Sequence, residues 1–183
     1  SNLHTYFSDS DFLANLTDYL DAGGNVVLFG TATELLDVSG ITNNMFSQSS
    51  SNNHIYITDN NHPITEEYST SGHFSVGANI NFSYTTTPDP TIGMVILGRY
   101  TPSLLYTLGE VPYGMGKVIF CGAATFTTPS NDFLGLASRI IDHSQNQGYA
   151  SVRVDMESPV PATQNEIFEV AVDVTAYGGT LPV

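Results

Sequence analysis

The sequence predicts an α/β domain with a mostly parallel sheet flanked by helices, followed by a short C-terminal β extension. Three observations carry that expectation. "NVVLF", Asn25 to Phe29, and "KVIFC", Lys117 to Cys121, are runs with little polar alternation, as in strands buried on both faces. Two segments, around Leu16 and Leu136, repeat apolar residues at helical spacing. From Tyr149 onward the pattern changes to period two, the mark of half-buried strands.

"SDSDFLANLTDYLDAGG" is predicted to be the first helix. Ser8 or Ser10 is the expected cap, Asp9 and Asp11 favour the positive end, and Gly23 supplies the stop. Phe12, Leu13, Leu16, Tyr19 and Leu20 make its apolar face. The strand Asn25 to Phe29 follows directly. Thr33 to Val38 and Gly40 to Phe46 read as two short helices, with Thr33 capping the first and Gly30 permitting a sharp turn. Ser47 to Asn53 is a polar loop, His54 to Asp59 a strand, and His62-Pro63 a turn. "HFSVGANINFSYTTTPDP" holds one or two short strands, and Met94 to Leu97 another. Leu104 to Leu108 and Lys117 to Cys121 form a hairpin about "PYGMG". The glycines Gly114 and Gly116 belong to that turn and not to a phosphate cradle, because no helix follows them. "PSNDFLGLASRIIDHS" is the clearest helix, capped by Ser130 or Asn131. Its expected buried face is Phe133, Leu134, Leu136, Ala137, Ile140 and Ile141.

Two units are expected: an α/β domain over 1–146 and a β segment over 147–183. In the second, Val152, Val154 and Met156, then Ile167, Phe168, Val170, Val172 and Val174, resemble the first strands of an immunoglobulin-like or fibronectin-like sandwich. Two strands are marginal alone, and Leu3 to Phe7 reads as a loop after a strand. The expectation is therefore a segment of a longer protein, whose other domains are its partners. Ser1 and Asn2 read equally as a tag remnant.

Eighteen acidic residues face four basic ones, Arg99, Lys117, Arg139 and Arg153, for a net charge of -14. Such a field opposes nucleic acid and anionic lipid. No apolar run is long enough to insert in a membrane. A polar, lysine-poor surface points to an extracellular or cell-surface setting. The single cysteine, Cys121, excludes an internal disulfide and a cysteine-based zinc cluster. It reads as a buried core thiol. Asn15-Leu16-Thr17 and Asn81-Phe82-Ser83 are formal glycosylation sequons, the first within the first helix.

The order helix, "GGNVVLFG", short helix, "HPIT", mixed strands, "YGMGKVIFCGAATF", amphipathic helix resembles the class I glutamine amidotransferase-like superfamily, roughly from Leu3 to Ser144. More narrowly it is similar to non-catalytic, trehalose-utilisation-like and surface-protein-associated members. The resemblance implies a flavodoxin-like sheet. In active members the turn after such a strand carries Gly-x-Cys-x-Gly, with a His and a Glu near the last strand. Here Gly30 matches the first glycine, Ala32 stands at the cysteine position, and Glu34 replaces the second glycine. "AATFTTPSND", after Gly122, holds neither His nor Glu. No Cys-His pair carries over, and Thr31 and Thr33 lack an adjacent base.

The remaining clusters are weighed by spacing. His54, His62 and His73, with Asp59, Glu66 and Glu67, lack the HxH or HxxxH spacing of a metal site. Asp9 and Asp11 with Ser8 and Ser10 lack a calcium loop. Glu66 and Glu67 are expected to point apart, unlike a glycosidase pair. Tyr56, Tyr68, Tyr84, Tyr100, Tyr106 and Tyr113 would form a carbohydrate-binding or protein-binding face only if exposed. No catalytic, cofactor-binding or metal residue and no cofactor is thus expected. The function read from the sequence is a non-catalytic structural or interaction domain of a secreted or surface multidomain protein. The alternatives are a hydrolase or transferase site completed by residues outside this segment, and a carbohydrate-binding accessory module.

Overall fold

The computed structural model describes residues 8–100, 104–123, 129–146, 150–153 and 173–176. Helix α1 (Ser10–Asp21) leads into strand β1 (Asn25–Phe29). A short 3-10 turn and helix α2 (Leu35–Val38) follow. Then come β2 (Phe46–Ile57), β3 (Phe74–Thr85), β4 (Val95–Arg99), β5 (Tyr106–Tyr113) and β6 (Gly116–Cys121). Helix α3 (Asn131–Asn146) covers one face, and β7 (Ala150–Arg153) pairs with β8 (Asp173–Ala176) in a separate two-stranded sheet.

The main sheet is not mostly parallel. Only β1–β6 is parallel, with Asn25 opposite Lys117 and Phe29 opposite Cys121. The β6–β5, β5–β4, β4–β2, β2–β3 and β3–β5 pairings are antiparallel. The chain of pairings β3–β2–β4–β5 returns on itself through Thr85 opposite Tyr106, so the sheet curls into a half-barrel. The expected flavodoxin-like sheet is corrected accordingly. The physical reason lies in what an apolar run reports. It reports burial on two faces, and burial carries no information on strand direction.

Both faces are indeed covered. Val27, Phe29, Leu108, Ile119 and Cys121 pack under Phe133, Leu136 and Ile140 of α3. On the opposite face Leu28, Val111, Val118 and Phe120 pack against Leu20 of α1 and Leu35 and Leu36 of α2. Within α3, Leu134 and Ile141 point to solvent, against expectation; the buried stripe is Phe133, Leu136, Ala137 and Ile140. Its cap is Ser130, whose Oγ accepts the Phe133 N–H at 3.0 Å. In α1 the cap is Asp9, not Ser8 or Ser10, with Oδ1 accepting from Asp11 and Phe12. Tyr19 is half exposed and only Leu20 is buried. The helix closes in a Schellman motif, Gly24 N–H to Tyr19 C=O and Gly23 N–H to Leu20 C=O.

Two further expectations are corrected. Gly40 to Phe46 is not a helix, and Ser47 to Asn53 is not a loop but part of β2. The entry to β2 is set by Asp37. Its Oδ1 accepts from Thr42 Oγ1 and from Met45 N–H (2.9 Å), and its Oδ2 accepts from Phe46 N–H (2.9 Å). Asp37→Ala strands those donors, so it is expected to cost about 1–3 kcal/mol, read as a lower thermal midpoint. The hairpin is as expected in kind, with its arms at Tyr106–Tyr113 and Gly116–Cys121. Most of 147–183 lies outside the described residues.

Candidate functional site

In an α/β enzyme a nucleophile sits at the carboxyl ends of the parallel strands. Here that crest is closed. The chain leaves β1 through the 3-10 turn Gly30–Glu34, with buried Gly30 at φ 59°. Thr33 is fully buried. It does not cap a helix; its Oγ1 turns back to the Gly30 carbonyl (2.9 Å) and shares a hydrogen bond with the Ser83 hydroxyl of β3. Thr107 Oγ1 donates to the Ser83 carbonyl at 2.8 Å. Ser83 N–H donates to the Gly122 carbonyl (3.1 Å), and Gly122 N–H to the Thr107 carbonyl (2.7 Å). A Cβ on Gly122 would overlap the Ser83 carbonyl and the Thr107 hydroxyl. Strand β3 thus lies across the crest, and these polar groups satisfy one another.

The other crest residues fit the same picture. Thr31 is exposed, Ala32 packs on the α1-side core, and Glu34 accepts a hydrogen bond from Gln48. Cys121 is wholly buried. Burial pushes its thiol up to about 12, only partly offset by a hydrogen bond from the Ala123 backbone. A thiol so held is not a thiolate at neutral pH and is a poor nucleophile.

The ionisable groups gather at the other end of the β1–β6 pair. In the hairpin Glu110 faces Ile119 and Pro112 faces Lys117, so Glu110 and Lys117 are diagonal neighbours on the α3 face. Lys117 Nζ lies 2.9 Å from Glu110 Oε2. Helix α3 brings His143, whose Nε2 is 2.9 Å from Lys117 Nζ and 3.3 Å from Glu110 Oε2. The loop after β2 brings His62, with Nε2 at 3.6 Å from Glu110 Oε1. The two imidazoles meet edge-on, 4.8 Å between centroids.

His143 Nε2 either accepts from the ammonium or donates to the carboxylate, since one ring nitrogen cannot do both. The shorter contact favours the ammonium. His62 Nδ1 accepts the Ile64 N–H at 3.3 Å, which directs its ring proton from Nε2 toward Glu110. These tautomers are assigned from the hydrogen-bond network. Burial alone would raise the Glu110 carboxyl. Contacts with His143, His62 and Lys117, and the Lys117 charge, outweigh it and hold the group well below the usual carboxylate range.

The loop that carries His62 is tightly built. Thr65, fully buried, donates from Oγ1 to the Asp59 carbonyl at 2.6 Å, and its N–H donates to the His62 carbonyl at 2.8 Å. Arg139, one turn before His143 on α3, donates to the Pro63 carbonyl (3.3 Å) and contacts Glu66 (3.5 Å). It also pairs with Glu67. Glu66 and Glu67 therefore converge on one guanidinium instead of pointing apart. The histidines close in sequence separate: His54 and His73 stack edge-on at 4.5 Å, with Tyr56 beside His73, while His62 joins the Glu110 cluster. Partial burial, reinforced by His73, lowers the His54 pKa.

His62, Glu110 and His143 present ligand atoms within 4.8 Å of one another, a donor set able to hold a metal ion. Sequence reasoning missed Glu110, Lys117 and His143. The hairpin register would have placed the first two together, since the turn at Gly114 aligns them on one face. His143, 26 residues from Lys117, has no comparable local signal. Tyr56, Tyr68, Tyr84, Tyr106 and Tyr113 are half-buried and Tyr100 is buried, so they form no exposed row. An open depression of ≈ 480 Å³ borders Ile57, Arg99 and Tyr106, with no His or carboxylate among its lining residues. Among the described residues, no helix is long and apolar enough to cross a membrane. Comparison of the chain with protein-family models, curated proteins and solved structures gave no match.

Proposed function

We propose that this chain is a non-catalytic structural or interaction module of a secreted or cell-surface multidomain protein. The observation that carries the reading is the closed crest. Ser83 of β3, with Thr33, Thr107 and Gly122, fills the space where a substrate would meet a nucleophile. The only thiol is buried beneath it. The ionisable cluster at the opposite end is internally neutralised: among the described residues Glu110 is the one carboxylate paired with Lys117, and both its oxygens are engaged. It ties three elements together: the loop after β2, the hairpin β5–β6, and α3. A carbohydrate-binding reading finds no exposed row among the six tyrosines.

The test is thiol accessibility. Cys121 is expected to resist iodoacetamide and glutamine-analogue electrophiles in the native chain and to react only through the unfolding transition. Mass spectrometry of the intact chain reads the adduct. A native-state adduct at Cys121 that forms faster than global unfolding contradicts the reading.

A further inference from the structure

We propose that His62, Glu110 and His143 form a binding site for a borderline divalent transition-metal ion, Zn²⁺ in the first place, and that Lys117 competes with the ion for it. The donor set of two imidazoles and one carboxylate suits zinc; calcium and magnesium require oxygen-rich shells. The spacing fits as well. With metal–ligand bonds of about 2.0–2.1 Å, tetrahedral geometry puts neighbouring ligand atoms roughly 3.3–3.4 Å apart. His143 Nε2 lies 3.3 Å from Glu110 Oε2 and His62 Nε2 lies 3.6 Å from the other oxygen, Oε1, so the carboxylate stands between the imidazoles; one ligand atom from each residue lies within 4.8 Å of the others, and closing on an ion draws them together.

The three ligands also come pre-positioned. Glu110 stands on a paired strand, His143 on a packed helix, and His62 on the loop that Thr65 and Arg139 fasten. A cation already sits beside two of them, since Lys117 Nζ is 2.9 Å from both Glu110 Oε2 and His143 Nε2. An incoming ion takes that place. Nζ then withdraws on its four-carbon stem, and the side chain, 10% exposed, lies close enough to the surface to do so. His62 must also carry its proton on Nδ1, which gives up the 3.3 Å contact from Ile64 N–H. Both changes weaken the site in the native chain without removing a ligand. Three protein ligands leave the fourth position to water.

The inference goes beyond the non-catalytic reading and does not depend on it. The experiment is equilibrium dialysis of the full chain against Zn²⁺ alone, with Co²⁺ substituted to report coordination through its visible bands. One ion per chain is expected. Lys117→Met is expected to tighten binding about 10-fold or more, since it removes a repelling charge from the site. His62→Gln and His143→Gln are each expected to weaken it about 100-fold or more, since losing a ligand costs at least as much as losing one of the outer-shell partners that orient ligands. Far-UV circular dichroism confirms that each variant is folded, and Lys117→Met serves if a histidine variant is not. A His54→Gln/His73→Gln variant controls for the surface pair and is expected to bind normally. Loss of the ion only in that control, or no tightening in Lys117→Met, overturns the site. Zinc bound together with ester or peptide hydrolysis would keep the site and overturn the non-catalytic reading.

Discussion

Gly122→Ala is expected to destabilise the chain by about 3 kcal/mol or more, at the upper end of overpacking effects. For a chain of this size that corresponds to a fall in the thermal midpoint of roughly 6–12 °C. The added methyl would meet the Ser83 carbonyl, which is backbone and held on both sides. Ser83 N–H is bound to Gly122, and its carbonyl accepts from Thr107. No side chain can rotate away to make room. Relief requires β3 to lift from the crest, which breaks the Ser83–Gly122 bond and exposes Thr33 and Thr107. An open crest of the kind an enzyme uses would tolerate the methyl with little cost.

The second large effect belongs to Glu110. Glu110→Ala leaves the Lys117 ammonium, 10% exposed, beside the His143 imidazole and without its carboxylate partner. Breaking a buried pair from one side is expected to cost about 3 kcal/mol. Glu110→Ala/Lys117→Met is expected to recover most of that loss, because it removes both charges and leaves neither unpaired. The two variants together separate the cost of an orphaned charge from the worth of the pair. The pH dependence follows from the sign of the shift. The folded carboxyl is held below its unfolded value, so its contribution is complete above the unfolded pKa, about 4.3. It is lost as pH falls below that value toward the folded one. In urea unfolding, the native chain is expected to lose stability between about pH 5 and 3 more steeply than Glu110→Gln.

How much of this was legible in the sequence depends on what each residue pattern encodes. Val26 to Phe29 and Val118 to Cys121 correctly announced strands covered on both faces, because continuous burial leaves a continuous apolar run. The direction of β5 against β6 was legible from the turn between them and not from these runs, and nothing in them announced that β3 crosses their ends. Helix α3 was legible through Ser130 and the Phe133–Leu136–Ile140 stripe, whereas exposed Leu134 and Ile141 showed that an apolar residue need not face the core. Ser47 to Asn53 gave no strand signal, since pairing with Ser83 and Tyr84 is made by the backbone, whatever the side chains. That Ala32 follows β1 at the crest is plain in the sequence. That Ser83 fills it rests on a contact across 50 residues, which no local window contains. The same holds for Glu110 and His62, which meet only when the loop after β2 folds back on α3.

The most direct measurement is the set of nuclear Overhauser contacts of the Ser83 and Gly122 amides in the labelled chain, with their exchange rates. Cross-peaks from the Ser83 amide to Gly122 protons, and from the Gly122 amide to Thr107, are predicted, with both amides exchanging only through global unfolding. Rapid exchange of both amides with no contact between β3 and the end of β6 would mean an open crest, and would contradict the account.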